Sequence, residues 1–332
     1  MDSICTWIYL DSPEEKSEYP QVGKQSHLPA FQKIYWRCVI VFFDISIQQN
    51  PQKRHILFSN KDWEALPVIN GLHVGNYLKE KNVTLVTIPL TWQTPPGYFG
   101  KWRNQFYIFD ILKFIETTYN QDDTFVVLDS DCIIQKPLNG LFDDIRKQGL
   151  LALPMPYDAQ HNINGISRQD MRKIFSELDG KDPQMDPLYY GGEIFAASYP
   201  IIQQINAMAP SIWKTMLNRH QNGQIKFNEE AHFLSYCYYQ IGQFSLLDTY
   251  IKRIWTAPHY NNVQSSDVNI PIWHLPSEKT GGIALLFKKR KQLSAILMAG
   301  TLGNYVGIPT RKYFLNWKQH IKYSWFYTFL KK

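Results

Sequence analysis

The stretch from Thr124 to Ile134, TFVVLDSDCII, constrains this chain more than any other. An apolar, β-branched run that closes on Asp129-x-Asp131 and resumes with Ile133 and Ile134 predicts a buried strand delivering two carboxylates to its C-terminal rim. In an open α/β sheet that rim is where ligands bind. Side chains two apart on a strand point the same way, so Asp129 and Asp131 converge. Converging carboxylates beside a core repel one another unless a cation lies between them. A hard divalent ion with oxygen ligands fits, and an ion held there neutralises a diphosphate. A solvated turn is the plainer reading of Asp-x-Asp, and the apolar residues before it argue against exposure.

Two enzyme classes use this layout: sugar-nucleotide transferases, and HAD-like phosphatases in which the first Asp (here Asp129) is the nucleophile and the second an acid/base. The phosphatase pattern continues with Thr or Val where Ile133 stands, and later supplies a Gly-Asp pair that this chain lacks downstream. With Lys136-Pro137-Leu138 and Leu141-Phe142 following, Thr124 to Phe142 resembles the metal-binding strand and exit of a GT-A glycosyltransferase. That resemblance implies a Rossmann-like α/β fold with a mixed, mostly parallel sheet flanked by helices. It also implies a UDP-sugar bridged by Mn2+ (or Mg2+), with Asp129 and Asp131 on the metal and Asp129 also near the donor. A nucleotidyltransferase would need a glycine-rich, basic opening after its first strand, and Leu10 to Leu28 does not supply one.

Taken in order, Ile4–Leu10 reads as a first strand, Ala30–Gln49 as a long helix, and Arg54–Ser59 and Val83–Pro89 as further strands, with an interrupted helix over Trp63–Lys79 between them. This alternation predicts a mostly parallel sheet. Tyr9, Asp11 and Ser12, just past the first strand, stand where a GT-A protein holds its nucleotide; ordinary loop residues would look the same. A helix expected over Lys101–Thr117 opens on Lys101, Arg103 and Asn104, placing cations and an amide where a helix start attracts anions. Beyond the aspartates, helices are expected over Leu138–Gln148, Ser167–Leu178 and Pro200–Asn222, with a short strand at Leu150–Pro154. Gly191 and Gly192, ahead of an apolar strand, let a sugar approach the backbone or else mark a β-bulge.

The segment Phe227–Tyr236 carries Asn228 as expected N-cap, so that Glu229 and Glu230 fall in a first helical turn. Together with Tyr189 to Ser198 it resembles the retaining galactosyl- and N-acetylgalactosaminyltransferases of the blood-group type. On that resemblance Glu230 is the catalytic carboxylate beneath the anomeric carbon, and Glu229 and His232 line the acceptor side of the cleft. Gly191, Glu193 and Phe233 depart from that pattern, so the transferred sugar and the stereochemistry stay open. Ile270 to Gly282 resembles the closing loop of family-8 lipooligosaccharide galactosyltransferases, which makes His274 a third metal ligand and Lys279 a diphosphate ligand. The spacing here is one residue shorter than in that family and its Lys-Pro-Trp ending is absent, and a His after Trp273 is equally what a packed core residue looks like.

The chain has 332 residues, enough for a substantial core, with 15% aromatics and a net charge of +6. Its Lys and Arg are spread evenly through the first three quarters, which argues against a nucleic-acid partner. Cys5, Cys38, Cys132 and Cys237 lie far apart in apolar contexts, as buried thiols of a reducing compartment do. The opening residues lack a basic stretch followed by an apolar one, so a cytoplasmic protein is expected. Residues 1–285 form the expected catalytic domain, with a donor half to about 135 and an acceptor half after it. Residues 286–332 are a basic, aromatic tail in which Phe314, Trp317, Ile321, Trp325 and Phe329 recur at helical spacing. Such a helix suits an anionic membrane surface, with the protein peripheral on its inner face; docking on its own domain is the alternative. The acceptor is then a saccharide or a glycolipid.

Overall fold

The structure, a computed structural model, describes residues 1–309 apart from 16, 24 and 259. The strands are β1 (Asp2–Ile8), β2 (Arg54–Ser59), β3 (Val68–Ile69), β4 (Leu72–His73), β5 (Thr84–Thr87), β6 (Thr124–Leu128), β7 (Cys132–Ile134), β8 (Leu150–Ala152), β9 (Ile194–Ser198), β10 (Ser245–Leu246), β11 (Ile251–Arg253) and β12 (Ile272–His274). The helices are α1 (Pro29–Gln49), α2 (Val74–Glu80), α3 (Tyr107–Thr118), α4 (Asn139–Gln148), α5 (Arg168–Asp179), α6 (Tyr199–Gln221), α7 (Glu230–Ile241), α8 (Gly282–Lys288), α9 (Leu293–Met298) and α10 (Gly303–Val306).

A mixed, mostly parallel sheet runs in the order β10-β8-β9-β6-β1-β2-β5, with β9 antiparallel to both of its neighbours. Every residue of β6 is buried and β1 nearly so, which is why both read as near-continuous apolar runs rather than alternating ones. Strands β8, β9 and β10, all beyond residue 135, belong to the same sheet as β1 and β2. Helix α1 is buried all round from Cys38 to Ser46 because it lies between β1 and β7 on one side and α8 on the other. Its Asp44 is kept in that setting by the Tyr77 hydroxyl at 2.7 Å and the Lys81 ammonium at 3.6 Å. Leu286, Phe287, Leu293, Ile296 and Ile308 join the same core as α1.

Several boundaries differ from expectation for local reasons. Helix α3 starts at Tyr107, not Lys101: Lys101 is in a β-bridge, Trp102 has a φ of 44°, and residues 103–106 form turns. The expected helix over Trp63–Lys79 divides at Pro67 and Gly71 into a single 3-10 turn, the β3–β4 hairpin and α2. The N-cap of α7 is Glu229 rather than Asn228, whose side chain instead donates to the Asn164 carbonyl at 3.0 Å. Helix α5 begins as its sequence predicts, with Ser167 and Asp170 closing a capping box. The helix expected over Arg311–Lys332 lies outside the described residues.

A second, three-stranded sheet, β11-β12-β7, is absent from the sequence reading. It forms because the chain turns sharply after β6: the Cys132 amide donates to the Asp129 carbonyl at 3.0 Å, and β7 leaves the main sheet to pair antiparallel with β12.

Candidate active site

That second sheet assembles the site. Its register sets His274 opposite Cys132, and the Leu275 amide continues the pairing onto the Asp131 carbonyl at 3.1 Å. The imidazole, expected on a closing loop, therefore stands at a strand end beside the Asp-x-Asp turn. His274 Nε2 lies 3.3 Å from Asp131 Oδ2 and 3.7 Å from Asp129 Oδ2. One ligand atom from each of the three residues falls within 4.8 Å of the others. Two carboxylate oxygens and an imidazole nitrogen at that spacing fit a single divalent ion. The Lys279 ammonium reaches Asp131 Oδ2, the same oxygen that faces His274.

The charges follow from this crowding. Burial opposes ionisation of Asp131, yet Lys279 and His274 outweigh it and hold that carboxyl far below the ordinary range. Asp129 is raised to about 6, by burial in the cleft and by the charge of Asp131. Burial alone would lower His274, but Asp131 and then Glu193 hold it up at about 9. In this state Asp131 is shared by two cations, and an arriving divalent ion has to displace the His274 proton and loosen Lys279.

The sequence marks Glu193 only as a departure from the blood-group-type pattern and gives no local sign of Arg253. Arg253 comes beside His274 because β11 runs parallel to β12 with those two residues in register. Its guanidinium grips Glu193 through both carboxylate oxygens, at 2.8 Å for Nε to Oε1. The one sequence hint is Gly191, where an added Cβ would collide with the Glu193 carboxylate and touch the guanidinium.

Gly192 plays the same part for Glu230: a Cβ there would run into Glu230 Oε1 and crowd Ala231. The two glycines thus make room for two carboxylates. Glu230, in the first turn of α7, has its Oε2 buried with no hydrogen-bond partner among the described residues. Burial, then the charges of Glu229 and Asp129, push its carboxyl well above the ordinary range. Glu229 is tied down, accepting from the Tyr189 hydroxyl at 2.8 Å and from Asn164 Nδ2 at 2.5 Å. Burial raises it to about 7. His232 is fully buried behind them, with Nδ1 3.5 Å from Glu229 Oε1, and burial lowers it to about 3, so it is neutral.

Past β1, Tyr9 donates to Glu15 Oε1 at 2.6 Å. Asp11 accepts from Asn104 Nδ2 at 3.0 Å and from the Ser26 hydroxyl, and Asn104 Oδ1 accepts from the Tyr19 hydroxyl at 2.6 Å. The first-strand loop and the segment ahead of α3 are thereby joined into one buried polar network.

All these elements border a cavity of about 380 Å³, a size that suits a small-molecule ligand. Tyr9, Asn104, Asp129, Asp131, Gly192, Glu229, Glu230, His274 and Lys279 line it, and so do Glu193 and Arg253. Asp11, Lys101, Arg103, Gly191 and His232 are not on its wall. Arg103 instead sends its guanidinium to the Thr94 carbonyl at 3.5 Å, while Lys101 bridges to Glu18 through the backbone. Among the described residues no helix is long and apolar enough to cross a membrane.

No protein-family model and no curated protein matches the chain. Among solved structures it is similar to LgtC, in a crystal structure of an active-site mutant. The TM-score is 0.47 and the identity 11%, over 83% of this chain and 87% of that one.

One outcome is expected from the glycine arrangement. If Asp129, Asp131 and His274 hold a cation and Glu230 acts on a substrate, Gly192→Ala displaces the Glu230 carboxylate but leaves the Asp-Asp-His cluster in place, so turnover falls steeply while metal affinity is kept. Kinetics and metal titration on the same preparation check this, and loss of both together would mean that Gly192 serves only the fold.

Proposed function

We propose that the protein is a metal-dependent glycosyltransferase that moves a hexose from a UDP-sugar to a saccharide or lipid-linked acceptor, on a GT-A fold. The observation that carries this reading is that an Asp129–Asp131–His274 cluster and a Glu230 carboxylate whose buried Oε2 has no partner among the described residues border one cavity. Asp129, Asp131 and His274 would hold Mn2+ or Mg2+, which when bound offsets charge on the departing UDP. Lys279, at the edge of the cluster, is a fixed positive charge for the diphosphate. Tyr9 and Asn104 border the donor end, with Asp11, Lys101 and Arg103 acting through the loops they hold. Glu229 is locked by Tyr189 and Asn164, which leaves Glu230 as the carboxylate able to meet a reacting atom. Glu230 stabilises or captures the anomeric carbon if configuration is retained, or takes the proton of the acceptor hydroxyl if it is inverted. Nuclear magnetic resonance of the product anomer separates these roles.

The reading predicts a pH dependence for metal binding. His274 keeps its proton up to about 9 in the metal-free protein, so apparent Mn2+ affinity rises with pH, by about tenfold per unit below that value. Electron paramagnetic resonance of free Mn2+ between pH 6 and 9 measures it, and an affinity flat across that range would rule out His274 as a ligand. A phosphatase using Asp129 as nucleophile would release phosphate from simple phosphomonoesters without any nucleotide, and a non-catalytic sugar-nucleotide or membrane-binding protein would bind UDP without turnover. Within the basic segment of residues 286–332, whose Leu286, Phe287, Leu293, Ile296 and Ile308 pack in the core, residues 311–332 are the part proposed to meet an anionic membrane on the cytoplasmic side, tested by co-sedimentation with phosphatidylserine vesicles.

A further inference from the structure

We propose that Glu193, braced by Arg253, is a positioning residue that aims His274 at the cation; this rests on reading Asp129, Asp131 and His274 as a metal site. A neutral imidazole carries one N–H and one lone pair. A carboxylate placed at Nδ1 fixes the hydrogen there and leaves the Nε2 lone pair for an ion. Glu193 Oε1 is 3.3 Å from His274 Nδ1, while Nε2 on the far side of the ring is 3.3 Å from Asp131 Oδ2. Arg253, Glu193, His274 and Asp131 thus stand in a row of close contacts, in which the Glu193–His274 step is an approach of 3.3 Å without hydrogen-bond alignment in the metal-free protein.

Each support of Glu193 has its own structural cause. Its carbonyl accepts from the Asp129 amide at 3.0 Å, so the backbone that carries Glu193 also carries the first aspartate. Its side chain is fully buried, a setting in which a carboxylate without a partner is strongly destabilising. Arg253 meets it through two nitrogens, and the β11–β12 register keeps that guanidinium next to His274. Arg253 is held in turn near the Tyr157 hydroxyl, 3.4 Å from Nη1. The absence of a side chain at Gly191 leaves the space that the Glu193 carboxylate fills. A purely structural ion pair would not need one carboxylate oxygen within 3.3 Å of a buried ring nitrogen that has no other partner among the described residues.

The test is Mn2+ titration, followed by electron paramagnetic resonance of the free ion, on the full chain and on Glu193→Gln, Glu193→Leu, His274→Ala and the double variant His274→Ala with Glu193→Leu. The wild type binds, and Glu193→Leu weakens binding by about 10- to 100-fold. Glu193→Gln, which still accepts from Arg253, loses less. In the His274→Ala background, Glu193→Leu brings no additional loss, because its whole effect passes through the imidazole. An equal loss in both backgrounds, or none in either, overturns the proposal while leaving the metal site standing. Absence of Mn2+ binding by the folded wild type overturns both. If Glu193→Leu does not fold, as judged by circular dichroism, the same cycle is run with Glu193→Gln, whose smaller loss must likewise vanish in the His274→Ala background.

Discussion

Asp131→Asn eliminates measurable Mn2+ binding and lowers turnover by about 1,000-fold or more, since a catalytic metal supplies several kcal/mol of charge stabilisation. It also lowers the stability of the metal-free protein. Asp131 is buried and is the shared counter-charge of Lys279 and His274, themselves 8% and 6% exposed. Removing it strands two cations in a poorly solvated place, a change that costs on the order of 3–5 kcal/mol for a buried pair, less whatever His274 recovers by losing its proton. Asp129→Asn is the informative contrast. Asp129 is 37% exposed at its side chain and is raised, not lowered, by its surroundings. The amide removes a metal ligand while relieving repulsion with Asp131, so activity falls as for Asp131→Asn but thermal stability is kept or improved. Parallel kinetics and thermal melts of the two variants check this. Equal melting temperatures would mean that Asp131 does not carry the charge balance assigned to it.

Glu230→Gln lowers turnover by about 10²- to 10⁴-fold without weakening the fold. The wild-type carboxylate has a buried oxygen with no hydrogen-bond partner and is pushed up by burial, Glu229 and Asp129. An arrangement so unfavourable to the ground state is what an active group costs a protein, and an uncharged isostere removes the repulsion. The melting temperature is therefore expected to hold or rise as activity falls. Unchanged turnover removes Glu230 from the mechanism. A collapse in melting temperature would make it a structural residue. Glu229→Gln is expected to do less to turnover, because Glu229 is engaged by Tyr189 and Asn164.

What could be read in advance divides by sequence distance. The strand Thr124–Leu128, helix α1, strand Arg54–Ser59 and the Ser167 cap all announce themselves within a few residues, through apolar runs and local hydrogen-bonding groups. Asp129 and Asp131 were legible because the apolar run fixes where their strand ends. The second sheet was not, because β7 and β12 are short and their pairing is non-local. For that reason His274 was expected on a loop, and Glu193 and Arg253 drew no attention as a pair. Gly191 and Gly192 were noticed as places of close approach, but nothing local says that what approaches is a carboxylate. The cations at Lys101 and Arg103 misled for a physical reason: Trp102 takes a left-handed conformation and delays the helix, so the anion-attracting start expected there is not formed by those residues.

The proposed function requires that the Asp129–Asp131–His274 cluster hold an ion which in turn holds a pyrophosphate. Isothermal calorimetry of UDP with the folded protein, with and without Mn2+, is the direct test. Clear binding heat is expected with Mn2+, lost on chelation and in Asp131→Asn. Equal UDP binding with and without the metal, or no heat with either Mn2+ or Mg2+, would overturn the metal-bridged reading.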